Sequence, residues 1–157
     1  MSKLRPLEGT YEAGDARVTI IVSRWNGEIT EGLLRGALAA LERQGVADEQ
    51  VQVLRVPGAF ELPLAALKVA NTGRVDGVIA LGCVIRGDTP HFDYVCAECT
   101  RGLGQVSLDS GLPVGFGLLT CDNLAQAQAR SGDNRENKGE EAALTVLEML
   151  SLLRQVR

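Results

Sequence analysis

Two hydrophobic patterns alternate along the chain. Short runs of aliphatic and β-branched residues, typical of buried parallel strands, are followed by segments with apolar residues three and four positions apart, typical of helices. The predicted strands are Arg17–Ser23, Val51–Val56, Val75–Gly82 and Val114–Leu119. The predicted helices are Ile29–Arg43, Glu61–Ala70, Pro90 to about Gly111, Asn123–Arg130 and Lys138–Gln155.

This alternation predicts an α/β fold in a single domain covering residues 1–157. We expect a flavodoxin-like three-layer α-β-α sandwich with a four-stranded parallel sheet in the order 2-1-3-4. Ligands of such folds bind at the carboxyl ends of the strands. Residues 1–14 do not fit the series, and the strand-like run Leu7–Tyr11 has no partner. We expect this segment to add a strand to the sheet of a neighbouring subunit.

Composition and charge narrow the class of protein. Hydrophobic residues make up 45% of the 157 residues and charged residues 23%, as in ordinary globular proteins. The 16 Lys and Arg against 20 Asp and Glu give a net charge of −4, which argues against a nucleic-acid-binding protein. The sequence shows no signal-peptide pattern and no apolar run of membrane-spanning length. We therefore expect a cytoplasmic protein whose four cysteines are reduced thiols.

Polar and aromatic residues follow every predicted strand. These segments are Arg24–Gly27, Pro57–Glu61, Cys83–Asp93 and Thr120–Asn123. Because the carboxyl ends of parallel strands meet at one edge of the sheet, the four segments predict a common binding site. Such a placement does not by itself specify a reaction.

The third of these segments contains a candidate phosphate site. Gly87, Asp88 and Thr89 precede a helix that is predicted to begin at Pro90. The N–H groups in the first turn of a helix have no internal partners and suit a phosphate. The alternative is an ordinary helix start with Thr89 as its N-cap.

Three basic side chains are candidates for chemistry. His91, the only histidine, falls in the first turn of that helix, where it could shuttle protons or serve a structural role. Arg130 ends a short helix and could bind phosphate through two N–H groups, or it could be an exposed helix-terminal residue. Lys138 begins the last helix, where the helix dipole disfavours a positive charge, and this hints at a function.

Two aromatic residues, one carboxylate and a cysteine pair complete the candidates. Trp25 and Phe60 could stack on a heteroaromatic substrate or pack in the core. Glu61 stabilises a helix start but could also accept hydrogen bonds from sugar-alcohol hydroxyls. Cys96 and Cys99 lie in the second and third turns of their helix, near its buried face, which does not favour redox or metal use. The glycine spacings of dinucleotide and Walker loops are absent.

Several runs together resemble one enzyme family. Gly82–Asp93 (GCVIRGDTPHFD) resembles the signature loop of the lumazine synthases, and Pro57–Leu62 (PGAFEL) resembles their second loop. Three further runs resemble the C-terminal third of that family: Pro113–Thr120 (PVGFGLLT), Gln126–Gly132 (QAQARSG) and Asn137–Ala143 (NKGEEAA). The runs follow the family's order and are highly specific in combination.

The resemblance implies the penultimate step of riboflavin biosynthesis. A lumazine synthase is a transferase that condenses 5-amino-6-(ribitylamino)uracil with 3,4-dihydroxy-2-butanone 4-phosphate, giving 6,7-dimethyl-8-ribityllumazine, phosphate and water without a cofactor. One alternative is an archaeal-type riboflavin synthase, but its reaction has no phosphate substrate to use Arg130. A non-catalytic flavin-binding or shell protein would not need both His91 and Arg130. A redox flavodoxin-like carrier would bind flavin mononucleotide tightly.

The resemblance also implies roles for individual residues. His91 would transfer protons, and the phosphate would be held by Arg130 and the N–H groups around Gly87, Asp88 and Thr89, with Lys138 close by. The residues implied for the pyrimidine and ribityl chain are Trp25, Asn26, Ala59, Phe60, Glu61, Cys83, Val84, Ile85 and, from an adjacent subunit, Phe116. The family usually has phenylalanine in place of Trp25, which puts the pocket shape and flavin affinity in question.

Members of this family assemble as pentamers, and some pentamers form icosahedral shells. The connection Gly132–Gly139 (GDNRENKG) is short, as in the shell-forming members. We therefore expect a homo-oligomer of pentamers arranged in a shell, with riboflavin synthase as a candidate partner. Small-molecule substrates are expected, whereas nucleic-acid and membrane partners are not.

Overall fold

The computed structural model describes residues 3–157 and contains one four-stranded parallel sheet in the order β2-β1-β3-β4. The strands are β1 (Val18–Ser23), β2 (Val51–Val56), β3 (Gly77–Ile85) and β4 (Val114–Cys121). The helices are α1 (Gly27–Arg43), α2 (Leu62–Asn71), α3 (His91–Ser110), α4 (Leu124–Ala129) and α5 (Lys138–Gln155). The predicted α/β class and strand order are confirmed.

The alternation of side chains along the strands places a core on each face of the sheet. In β1, Ile20 and Val22 pack in a cluster with α1 and α5, whereas Ile21 packs in a second cluster with α2 and α3. All three side chains are fully buried. The two clusters give the predicted three-layer sandwich.

Two strands end later than predicted. β3 continues to Ile85 and β4 to Cys121, because their parallel pairing extends from Val78↔Val114 to Ile85↔Cys121. The predicted ends at Gly82 and Leu119 were therefore wrong. The consequence for the site is that Cys83, Val84 and Ile85 belong to a strand and have fixed, alternating directions.

Helices α1 and α5 approach closely enough to require residues without side chains. A Cβ on Gly139 of α5 would overlap the Leu33 carbonyl of α1. A Cβ on Gly32 of α1 would overlap the Ser131 carbonyl in the segment that leads to α5. The buried Asn137 sits in this contact as the N-cap of α5, accepting hydrogen bonds from the N–H groups of Gly139 and Glu140. This packing fixes the start of α5.

The N-terminal segment forms neither a helix nor a strand between residues 3 and 13. It lies along α5 of its own chain, where the Thr10 N–H donates to Ser151 Oγ at 3.0 Å and Gln155 Nε2 donates to the Glu8 carbonyl at 2.8 Å. Met1 and Ser2 of the predicted intersubunit segment lie outside the described residues. Pairing of Leu7–Tyr11 with a neighbour stays a prediction.

Across residues 3–157, each helix is either too short or too polar to span a lipid bilayer.

Candidate active site

A cavity of about 560 Å³ opens at the carboxyl ends of β1 and β3. It gathers residues from the segments that follow β1 and β2, from the end of β3 and from the start of α3. The side chains that line it are Trp25, Asn26, Ala59, Phe60, Glu61, Cys83, Val84, Ile85, His91, Tyr94 and Val95. Nine of these were candidates from the sequence, so the loops meet as expected for a parallel sheet.

The aromatic residues form the rim of this cavity. Trp25 is 63% exposed and Phe60 58% exposed, and Tyr94 is also exposed. The interpretation of Trp25 and Phe60 as core residues is therefore wrong. Large apolar rings left in solvent beside a cavity are typical of a surface that binds a ligand or another protein.

Asn26 holds the β1 segment in place. Its backbone adopts the left-handed conformation, with φ 58° and ψ 46°, the only non-glycine residue with positive φ among residues 3–157. Asn26 Nδ2 donates to the Cys83 carbonyl at 2.9 Å, which ties the end of β1 to β3. A left-handed backbone at a residue other than glycine costs free energy, and the hydrogen bond from Asn26 to Cys83 offsets this cost.

Glu61 is partly committed to its own loop. Its Oε1 atom accepts a hydrogen bond from the Gly58 N–H at 3.0 Å. The loop is also joined to the end of β1, since the Trp25 N–H donates to the Pro57 carbonyl at 3.0 Å. The second carboxylate oxygen of Glu61 is the one that can face a ligand hydroxyl.

The predicted phosphate loop precedes α3. Gly87, Asp88, Thr89 and His91 are all exposed. The N-cap of α3 is Pro90, which has no side-chain cap bond, so the interpretation of Thr89 as the N-cap is wrong. Thr89 lies one residue earlier, where its Oγ1 accepts from the His91 N–H at 3.4 Å. The helix begins at His91, one residue later than predicted. The loop thus retains exposed N–H groups at the start of a long helix, as an anion site requires.

Arg86 connects this loop to its surroundings. Its Nε donates to Asp122 Oδ1 at 2.9 Å, and its guanidinium carbon lies 4.4 Å from the centre of the Phe92 ring. A second guanidinium nitrogen is 3.4 Å from Asp93 Oδ1. These contacts link the ends of β3 and β4 to the first turn of α3.

The remaining candidates line a different cavity. Phe116, Arg130 and Lys138 surround a space of about 380 Å³ beside β4, together with Gln126 and Glu141. Among residues 3–157, none lines both this cavity and the one at His91. Within one chain, the structure therefore does not bring Arg130 and Lys138 to the His91 cavity.

Both basic side chains of the second cavity have partners inside the chain. Arg130 donates to the Gln126 carbonyl at 2.9 Å, one turn back along α4. Lys138 Nζ lies 2.8 Å from Glu141 Oε2 in an exposed pair. An exposed ion pair contributes little stability, so an anion could draw Lys138 away from Glu141 at small cost.

Sequence reasoning missed several residues around the cavities. Tyr94 and Val95 lie three and four positions after His91, a helical spacing that could have revealed them. Gln126 and Glu141 have the same relation to Arg130 and Lys138. Arg86 stood within the quoted signature run, but its charge was given no role.

Burial disfavours the thiolate form of the four cysteines. All four are free, and burial raises the pKa of Cys83 and of Cys99 to about 12. Burial also raises the pKa of Cys96. Thiolates are the reactive and metal-binding form, and the described residues contain no group of three or more side chains suited to a metal ion.

The sequence of the chain matches a known protein family. The model of the family described as 6,7-dimethyl-8-ribityllumazine synthase matches residues 15–154. The chain belongs to the 6,7-dimethyl-8-ribityllumazine synthase family. Lumazine synthases are transferases of riboflavin biosynthesis, and the match contains all four strands and both cavities.

Proposed function

We propose that this chain condenses 5-amino-6-(ribitylamino)uracil with 3,4-dihydroxy-2-butanone 4-phosphate to give 6,7-dimethyl-8-ribityllumazine, phosphate and water. The observation that carries the proposal is the His91 cavity, which combines an aromatic rim, polar groups and an exposed helix start within about 560 Å³. Its size and mixed lining suit a ligand with a flat ring and a hydroxylated chain.

The cavity suggests how each part of the pyrimidine substrate is held. The ring stacks beside Trp25 and Phe60, whose exposed faces need a planar partner. The ribityl hydroxyls bond to the unused oxygen of Glu61 and to Asn26 Oδ1, since Asn26 Nδ2 is already bonded to Cys83. Ala59, Val84 and Ile85 supply the apolar lining.

The proposed chemistry proceeds through the substrates' own groups. The primary amine of the pyrimidine attacks the ketone, and loss of water gives an imine. His91 removes a proton, the phosphate leaves, and an enol forms. The enol takes up a proton on its terminal carbon and becomes a methyl ketone. The second amine then attacks this carbonyl and closes the ring with loss of water. The protein contributes orientation, which accounts for a large part of such accelerations, and proton transfer by His91.

The phosphate site is proposed to form between two copies of the chain. Gly87, Asp88 and Thr89 supply N–H groups beside His91, whereas Arg130 and Lys138 lie on the other cavity. Placing the Phe116 side of one copy over the His91 cavity of the next would bring cations to the phosphate loop. Phe116 would then cover the ring substrate, consistent with its 49% exposure in a single chain.

The proposed assembly is a ring of five copies, with rings joined into an icosahedral shell. Contacts between unlike surfaces close into rings when the rotation permits. The tight Gly132–Gly139 connection, in which the Lys138 N–H donates to the Arg130 carbonyl at 2.9 Å, leaves no protruding loop to obstruct the shell. A cytoplasmic location and riboflavin synthase as a partner belong to the same proposal.

The direct test is to incubate the purified chain with both substrates and follow the fluorescent lumazine. We expect product from the authentic pair and none when either substrate is omitted. Absence of product with intact, assembled protein and authentic substrates would overturn the proposed reaction.

Complementation tests the shared site. We expect His91→Ala and Arg130→Ala to be weakly active alone, whereas co-expression should restore activity, since about one quarter of random junctions would have both native residues. Mixed assemblies no more active than the separate variants would show that each site lies within one chain.

Arg130→Ala alone should raise the KM of the keto-phosphate about 10- to 100-fold, because a charge-assisted hydrogen bond contributes roughly 1.5–3 kcal/mol.

A further inference from the structure

Gly58 and Trp25 are in direct contact at the edge of the His91 cavity. A Cβ built on Gly58 would lie 2.6 Å from Cζ3 of Trp25 and closer still to Cε3. Real Cβ atoms essentially never approach a heavy atom within 3.0 Å. The six-membered ring of the indole therefore occupies the space that a side chain at position 58 would need.

The backbone does not explain the glycine. Gly58 has φ −141° and ψ −174°, an extended conformation that any residue adopts. Glycine is usually required where φ is positive, and that reason does not apply here. The absence of a side chain at position 58 is what leaves room for the Trp25 ring.

The loop is held more firmly than the ring. The Gly58 N–H donates to Glu61 Oε1 at 3.0 Å, the Gly58 carbonyl accepts from the Glu61 N–H at 3.2 Å, and the residue is buried. Trp25, by contrast, is 63% exposed. If position 58 gained a side chain, the overlap would therefore be relieved by movement of the indole, leaving the fold intact.

We propose that Gly58 is a specificity-determining residue, because its lack of a side chain sets the position of the Trp25 ring and hence the width of the cavity. The identity of the flat ligand rests on the proposed function. Gly58 touches no reacting atom and acts only through Trp25. A larger residue at position 58 displaces the wall on which the pyrimidine stacks.

The experiment compares Gly58→Ala with the unchanged protein by two independent measurements. Trp25 is the single tryptophan of the chain, so its emission maximum and its quenching by acrylamide report directly on the ring. We expect both to change in Gly58→Ala. We also expect the KM of the pyrimidine to rise about two- to tenfold, the range of an aromatic stacking contact, while the KM of the keto-phosphate stays unchanged.

Gly104→Ala is the matched control, because a Cβ on Gly104 would meet nothing within 4 Å. It should leave the emission and both KM values unchanged. A second comparison uses Trp25→Phe, whose smaller ring needs less of the space over residue 58. Adding Gly58→Ala to Trp25→Phe should raise the pyrimidine KM by less than it does beside Trp25, a coupling that reveals direct interaction.

Unchanged Trp25 emission and an unchanged pyrimidine KM in Gly58→Ala would overturn the proposal. Equal losses beside Trp25 and beside Phe would also overturn it, because Gly58 would then act through its own loop. If the unchanged protein makes no lumazine, the proposed function fails. Quenching of Trp25 emission by added pyrimidine would still decide whether Gly58 controls binding at the ring.

Discussion

At the scale of single residues, His91 has the clearest expected effect. We predict that His91→Ala lowers kcat about 10- to 1000-fold but leaves measurable activity, since orientation of the substrates survives the loss of proton transfer. His91→Asn should behave similarly, because an amide forms hydrogen bonds but does not exchange protons near neutral pH. Steady-state rates between pH 6 and 8 test this, and a native kcat in both variants would leave His91 without a proton-transfer role.

The buried thiols predict a loss of stability in alkaline solution. Burial raises the pKa of Cys99 to about 12, whereas an unfolded thiol titrates near its ordinary value of 9.0. Between these values the unfolded state binds fewer protons than the folded state, so the free energy of unfolding falls as pH rises from about 9 to 12. Below about pH 9 this thiol contributes no pH dependence.

Urea unfolding of the unchanged protein and Cys99→Ala, at several pH values from 7 to 10.5, measures this contribution. Cys99→Ala should be less stable at pH 7, because a buried group is removed, but its stability should decline less steeply above pH 9. Identical slopes in the two proteins would contradict an alkaline effect of Cys99.

The limits of sequence reasoning at this scale are visible in Glu61 and Gly58. The position of Glu61 beside the site followed from its place after a strand. The sequence did not show that one carboxylate oxygen of Glu61 is bonded to the Gly58 N–H while the other stays available to a ligand. That bond depends on the fold of a four-residue loop. The close contact between Gly58 and Trp25 is formed by two loops that are distant in the chain, so no local sequence pattern predicts it.

At the scale of helices and strands, periodicity predicted nearly every element, and the errors lie at the ends of the elements. Apolar alternation identifies where a strand is buried, but a strand ends where its ladder ends. Cys83 and Ile85 are paired with Leu119 and Cys121 of β4, so β3 continues through residues that were predicted to form a loop. The start of α2 shifted for another reason, because residues 59–61 form a 3-10 turn that resembles a helix in sequence.

The start of α5 gives a prediction about stability. The side chain of Asn137 forms four hydrogen bonds, accepting from the N–H groups of Gly139 and Glu140 and donating to the carbonyls of Gly32 and Gly132. We predict that Asn137→Ala destabilises the fold by about 2–4 kcal/mol, combining a lost cap with unsatisfied buried groups.

Asn137→Asp is the informative companion in a denaturant titration. It keeps the oxygen that caps α5 but faces two carbonyl oxygens with a second oxygen in place of the N–H donor. We expect Asn137→Asp to be destabilised as well. This result would show that the hydrogen bonds from Asn137 to the Gly32 and Gly132 carbonyls contribute to stability in addition to the cap. Native stability of Asn137→Asp would show that the cap alone matters.

At the scale of the whole molecule, the N-terminal segment is predicted to serve assembly. Deleting residues 1–14 should weaken oligomerisation and lower activity together, if Leu7–Tyr11 pairs with a neighbouring sheet and the site is shared. Ser151→Ala is the control, because it removes the bond from Thr10 to the chain's own α5 while keeping the segment. Native mass spectrometry and activity measurements test both variants, and a fully active monomer at micromolar concentration would refute the prediction.

The sequence proposed members of the candidate site but did not show which of them lie together in one chain. His91 was a candidate as the only histidine, in the first turn of a helix. Arg130 was a candidate as a guanidinium at the end of a short helix, and Lys138 because a positive charge is disfavoured at a helix start. The sequence-based picture placed Arg130 and the loop around Thr89 on one phosphate. In three dimensions β4 and α4 direct Arg130 to a separate cavity, and a linear pattern contains no information about that direction.

The separation of the two cavities also fixes how many sites an assembly can offer. If each working site joins the His91 cavity of one copy to the Arg130 cavity of the next, sites are counted by junctions and not by chains. An open row of copies then has one site fewer than it has chains, with an unused half at each end, whereas a closed ring has one for every chain. Turnover per chain would therefore depend on protein concentration until the rings close, and would be constant thereafter.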